Sequence, residues 1–139
     1  MSRENLPQDR RAQVDAIFSA ANARDFEALG EMPFHPDFQF RSVLAVVEGG
    51  VYHGIQGLRQ WARNLDSIFD DYRFEVGGFE EVDDERVVVV VQLTGKGKSS
   101  DLPVDTRVGQ VWTWRNGLVW RIDTYSDVRE ALEAVGLAE

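Results

Sequence analysis

Five consecutive valines, Val87 to Val91, constrain this chain more than any other feature. All five are β-branched, and such a run fits a pleated strand. It is apolar at every position, so neither face of that strand can be given to water and both must be covered. The chain therefore has to build a sheet with material on two sides. Strand-like blocks surround the run, at Tyr72 to Phe79, Arg86 to Leu93, Val104 to Trp114 and Leu118 to Tyr125. Earlier in the chain, Asp37 to Ser42 alternates with period two and predicts a further strand. Val51-Tyr52-His53, set among Gly49, Gly50 and Gly54, predicts a short strand or turn.

Helical spacing is concentrated near the start. Between about Gln8 and Ala23, the residues Val14, Ile17, Phe18 and Ala21 recur every three or four positions and form one stripe. Asp25 predicts the N-cap of a short helix through Leu29 that closes near Gly30. Pro33 and Pro36 then bracket a loop that leaves His35 at the surface. A second stripe of Ile55, Leu58, Trp61, Ala62, Leu65, Ile68 and Phe69 predicts a helix over about Ile55 to Phe69, anchored on the sheet by Trp61. Asp83-Asp84 and Asn116-Gly117 are turn signals. Asp127 followed by Glu130 reads as a capping box, opening a short helix with Ala131, Leu132 and Val135 that Gly136 stops. Helices first and an antiparallel sheet after them give an α+β chain, and 139 residues suit a single domain over 1–139.

Charge narrows the partners. The 15 Lys and Arg face 24 Asp and Glu, for a net charge of −9. The excess sits between Asp66 and Glu85, where Arg73 is the one base. That segment repels phosphate and anionic membrane surfaces, so neither nucleic acid nor a membrane is an expected partner. With 0 Cys there is no disulfide and no thiolate chemistry. No apolar stretch is long enough to span a bilayer, and Met1 to Pro7 lacks the apolar run of a secretory signal, so a cytoplasmic location is expected. His35 and His53 stand apart without a metal-binding spacing, the acidic stretch lacks the spacing of a calcium loop, and Gly95 to Ser100 reads as a flexible strand-end loop rather than a phosphate cradle. No metal and no cofactor are expected.

With these elements in order, the chain resembles the nuclear transport factor 2-like superfamily, and within it the SnoaL-like and steroid-isomerase-like proteins. The resemblance rests on Asn22-Ala23-Arg24-Asp25, Asp37-Phe38, Tyr52-His53-Gly54-Ile55-Gln56-Gly57-Leu58, Arg115-Asn116-Gly117 and the ending Asp127 to Leu137, and it covers nearly the whole chain. It implies a cone: a strongly curved mixed or antiparallel sheet, with the N-terminal helices over its concave face and a cavity between. It also implies a homodimer through the convex face, where Arg107, Arg121 and Asp123 could pair. Where steroid isomerases carry a tyrosine, a general-base aspartate and a protonated aspartate, this chain has Ile17, Ser42 and Gln110. The acidic residue of SnoaL-like cyclases matches Thr124. Proton abstraction next to a carbonyl needs a base that serine and amide do not supply, so steroid-isomerase chemistry is not expected.

Which side chains line the cavity depends on the loop at Asn116-Gly117, because its length sets the register that follows. A two-residue turn places Trp114 opposite Val119 and Trp112 opposite Arg121. A three-residue loop places Trp114 opposite Leu118 and Trp112 opposite Trp120. The second is preferred, because it gathers the charges of both strands on one side. It gives a cavity of Phe38, Phe40, Trp61, Trp112 and Trp120, with Ser42, Gln110 and Thr124 as sparse polar points, suited to a hydrophobic small molecule. The first instead turns Asp123 and Tyr125 inward, where with His53 they could serve a hydrolase, dehydratase or cyclase. A third reading is a dimeric interaction module without chemistry.

Overall fold

The computed structural model describes residues 6–42, 50–98 and 103–137. Gly49, Ser99 and Ser100 lie outside the described residues. The chain runs through α1 (Leu6–Asn22), α2 (Phe26–Gly30), β1 (Phe34–Arg41), β2 (Val51–His53), α3 (Gly54–Ile68), β3 (Phe69–Glu81), β4 (Arg86–Gly97), β5 (Pro103–Arg115), β6 (Leu118–Tyr125) and α4 (Val128–Ala134). One six-stranded sheet has the order β2-β1-β6-β5-β4-β3. Its pairs are antiparallel except β1 with β6, which is parallel. The sheet is therefore mixed, curved and unclosed, with the N-terminal helices on one side.

Bulges bend it. β3 carries extra residues between Asp70 and Arg73 and between Val76 and Gly78, and β1 shifts register between Phe34 and Gln39. Each extra residue kinks its strand and increases the local twist. β1 also starts earlier than the alternation from Asp37 indicated, taking in His35 and Pro36, because the shift lets Phe34 pair with Val119 of β6.

The valine run is covered on one face and, except at half-buried Val90, on the other. Val87, Val89 and Val91 are buried in the main apolar cluster beneath α1 and α3. Val88 lies on the other side, in a second cluster with Val111 and Ala131. That cover is α4, and Gly109 lets it approach: a Cβ there would stand 2.7 Å from Ala131 Cβ and 3.0 Å from Val128 Cα. Asp127 caps α4 by accepting from the Glu130 N–H at 2.8 Å. The return half of the box is absent, since the Glu130 carboxylate accepts from the Ser126 hydroxyl instead.

The helices are tied to the sheet by side chains. In α1, buried Arg10 donates to the Asp83 carbonyl at 3.1 Å, and the Gln13 amide oxygen accepts from Trp114 Nε1 at 2.7 Å. At its other end, Asn22 bonds both the N–H and the carbonyl of Phe74 on the edge strand. α3 buries Leu58, Ala62 and Leu65. Ile68, expected on the same stripe, is 42 % exposed because the helix ends there and Phe69 has already turned into β3.

Candidate functional site

The hairpin of β5 and β6 sets the interior. Its tip is a two-residue turn, with Asn116 at φ 55° and Gly117 at φ 77°, both left-handed as a type I′ turn requires. Trp114 pairs with Val119 and Arg115 with Leu118, so the three-residue loop is corrected. One step later Thr113 pairs with Arg121, leaving Trp120 as an extra residue. The turn shifts the register by one and the bulge shifts it by one more, which restores the facing expected beyond Trp120. Trp112 stands opposite Ile122, and Gln110 opposite Thr124, all four buried.

Between the tip and the bulge the facing changes. Val119, rather than Leu118, is buried against Trp114. Trp120 does not join the interior. The Arg115 guanidinium lies 3.5 Å from its ring centre and that of Arg121 lies 5.5 Å away. No periodicity signals a one-residue bulge, so the sequence could not place this ring.

Among the described residues, two small cavities lie within the cone. One, of about 40 Å³, lies under α1, α2 and α3, with Phe18, Leu58, Tyr72 and Trp112 among its walls, and is termed outer for its position beneath the helices. The other, termed inner, is about 20 Å³ and reaches Ser42, Thr106, Val108 and Thr124 on the strands. Phe40, Trp61, Phe74 and Gln110 line both. Trp61 packs edge-on against Phe40 at 4.8 Å and stacks on Phe74 at 5.7 Å, and its Nε1 donates to Ser42 Oγ at 2.9 Å.

The polar interior is a short uncharged relay. Trp112 Nε1 donates to Gln110 Oε1 at 2.9 Å, and Gln110 Nε2 donates to Thr124 Oγ1 at 3.2 Å. Among the residues lining the two cavities, Tyr72 is the one ionisable side chain. Burial, and then its hydrogen bond to Asp66 at 2.7 Å, push its phenol well above the ordinary tyrosine range. It is a hydrogen-bond donor at neutral pH and not a base.

The structure thus brings together Phe40, Ser42, Trp61, Gln110, Trp112 and Thr124. Phe38 is buried in the core against Phe34, ring centres 4.6 Å apart, and lines neither cavity. Asp123 faces outward opposite Val111, 3.3 Å from Arg121 and 3.7 Å from Arg41. Tyr125 packs with the second apolar cluster beside α4, and His53 is exposed at the N-cap of α3. These three do not form one site. Sequence reasoning missed Phe74 and Tyr72, although the period-two series Tyr72, Phe74, Val76 could have shown one inward face. The described residues include no group of three or more His, Cys, Asp or Glu placed to hold a metal ion, and no helix long and apolar enough to cross a membrane.

An NTF2-like protein of unknown function from Burkholderia pseudomallei is 19 % identical, with a TM-score of 0.73 over 98 % of this chain and 99 % of that one. TerC, co-crystallised with polyporic acid, is 20 % identical, with a TM-score of 0.69 over 89 % of this chain and 95 % of its own. A Mycobacterium tuberculosis protein in complex with estradiol-17β-hemisuccinate is 10 % identical, with a TM-score of 0.64 over 82 % and 90 %. At these identities the likeness shows the fold alone. No curated protein matches the chain by sequence. The SnoaL-like domain model matches residues 14–122, and the chain belongs to that family.

Proposed function

We propose that this chain binds an uncharged, mostly apolar small molecule inside its cone. The observation that carries the reading is the pair of aromatic-walled cavities meeting at the Trp112–Gln110–Thr124 relay. Gln110 retains a second amide hydrogen and Thr124 its hydroxyl hydrogen, so a ligand carbonyl finds donors there. A ligand carboxylate would meet no counter-charge at that end and would lose its hydration. Two proteins of the same fold hold organic molecules, polyporic acid and an estradiol ester, which supports the reading.

The cavities are small. Ordinary ligand pockets measure about 300–1,000 Å³, so a ligand enters this cone only if aromatic rings rotate aside. Native mass spectrometry of gently purified protein tests the reading. A retained organic ligand of defined mass supports it, and repeated absence of ligand with no saturable uptake of apolar molecules contradicts it. Turnover of a bound candidate would favour the hydrolase, dehydratase or cyclase alternative, although Asp123, Tyr125 and His53 stand outside the cavities.

The proposal includes one domain over 1–139, a cytoplasmic location in keeping with the absence of cysteine, and a homodimer. The outer sheet face beside α4 offers Arg41, Arg121 and Asp123 for pairing across a two-fold axis. Light scattering at twice the 15.8 kDa chain mass supports the dimer, and 15.8 kDa at every concentration contradicts it.

A further inference from the structure

We propose that Phe74 is the gate of this binding site, and that the ligand is elongated, with an apolar body, an uncharged inner end and a polar outer end left between α1 and β3. The inference rests on the binding reading above and adds its route and its ligand shape. Phe74 lines the outer cavity, the inner cavity and a third void. That third void is an open groove of about 600 Å³, with Asp15, Ser19 and Asn22 on one wall and Arg73 and Glu75 on the other. Phe18 lines both the groove and the outer cavity, and its ring centre is 5.8 Å from that of Phe74. The Phe18–Phe74 pair borders both the groove and the outer cavity, and the Trp61–Phe74 stack borders both the outer cavity and the inner.

The main chain of Phe74 is fixed while its ring is not bonded. Its N–H donates to Asn22 Oδ1 at 2.8 Å and its carbonyl accepts from Asn22 Nδ2 at 2.9 Å. Opening is then a side-chain rotation with α1 still attached to the edge strand. The helical side of the outer cavity is latched more strongly. Arg24 donates to the carbonyls of Ala21, Asn22 and Tyr72, lies 3.6 Å from Asp66 and sits 3.8 Å from the Tyr72 ring centre. Lifting this end of α1 from α3 and β3 breaks the Arg24 contacts to Asp66 and to the Tyr72 carbonyl and ring, whereas passing the groove moves two hydrocarbon rings.

The chemistry along this route grades from polar to apolar to neutral polar. A trailing charged or hydroxyl group stays in the wet groove beside charges of both signs. The body passes between aromatic faces, and the leading end meets Gln110 and Thr124. Trp61 sets the usable length: a short ligand stops in the outer cavity, and a longer one displaces the indole.

Stopped-flow fluorescence with N-phenyl-1-naphthylamine, an uncharged aromatic probe, tests the gate. Wild type, Phe74→Leu, Phe18→Leu and Phe34→Leu are compared, after circular dichroism has shown each to be folded. Association and dissociation rates are expected to rise together, about five-fold or more, in the two gate variants, while the dissociation constant moves less than about three-fold. Phe34→Leu, in the core away from the groove, leaves the rates at the wild-type value. If Phe74→Leu does not fold, Phe18→Leu carries the test, since that ring is only half-buried. Probe binding at wild-type rates in the gate variants, or equal acceleration by Phe34→Leu, overturns the gate and leaves the binding reading standing. No binding by any of the four proteins overturns both.

Discussion

The two faces of β6 carry opposite chemistry one residue apart. Thr124 points into the cone, where its hydroxyl ends an uncharged relay from Trp112 through Gln110. Asp123 points out, between Arg41 and Arg121. Strand alternation makes that separation absolute, since a slip of one residue would exchange the faces. What prevents the slip is a pair of irregularities, the tight turn at Asn116-Gly117 and the extra residue Trp120. The charge on this hairpin therefore belongs to the outer surface, and the proposed ligand would be recognised inside by shape and neutral hydrogen bonds.

The largest test of the contrast compares two tryptophans. Trp112 is 1 % exposed and packs against Phe18 and Trp114, so Trp112→Ala should cost about 3–5 kcal/mol in urea unfolding. Trp120→Ala removes a ring that lies under arginines outside both apolar clusters, and should cost about 1 kcal/mol or less. Equal losses would mean that the ring of Trp120 belongs to the core.

Next come the polar groups. Gln110→Leu leaves the Trp112 indole N–H buried without its acceptor, a loss of about 1–3 kcal/mol. On the outer face, Asp123→Asn disturbs partly exposed ion pairs worth about 0–1 kcal/mol, and should leave ligand uptake at the wild-type level. Denaturant titrations of the two variants check the order, and a larger loss at Asp123 would break the comparison.

The bulge can be tested by deletion. Without Trp120 the pairs Trp114–Val119 and Thr113–Arg121 become consecutive, so every remaining residue keeps its face. The deletion should therefore fold, with a loss of about 1–2 kcal/mol through lost contacts and curvature. A chain that fails to fold by circular dichroism would show that the bulge does more than set register.

The smallest effect lies on the turn of β3 and β4. Asp83 accepts from the Arg86 side chain at 2.8 Å and from the Glu85 N–H at 2.9 Å, which hold its carboxyl below the ordinary 3.8. A lowered folded pKa gives stability that is complete above pH 3.8 and is lost as pH falls through the folded value. The site is exposed, so Asp83→Asn should lower the melting temperature slightly at neutral pH and not at all in strong acid. An equal difference at both pH values would contradict the ion-paired turn.

The same irregularities explain what was legible in the sequence. Val87 to Val91, the stripe of Leu58, Ala62 and Leu65, and the cap at Asp127 are local patterns, and each appears where its spacing put it. The uncharged polar points Ser42, Gln110 and Thr124 were also readable, because two one-residue shifts cancelled beyond Trp120. Trp120 itself was not, since a bulge leaves no mark on periodicity. Nor was the place of Phe74, which borders all three voids, a product of packing between elements far apart in sequence. Arg10 is another such case: a charged residue on α1 is buried only because the β3–β4 turn and Trp114 close around it.

The proposed ligand sits inside the cone and not on its charged outer face. The four tryptophan indole N–H groups report on it directly, because they give separate resonances in a proton–nitrogen correlation spectrum. Titration with N-phenyl-1-naphthylamine should shift the signals of Trp61 and Trp112 together, with one saturable constant, and leave Trp120 in place. Saturable shifts confined to Trp120, with Trp61 and Trp112 unmoved, would place the probe on the outer face and contradict binding inside the cone.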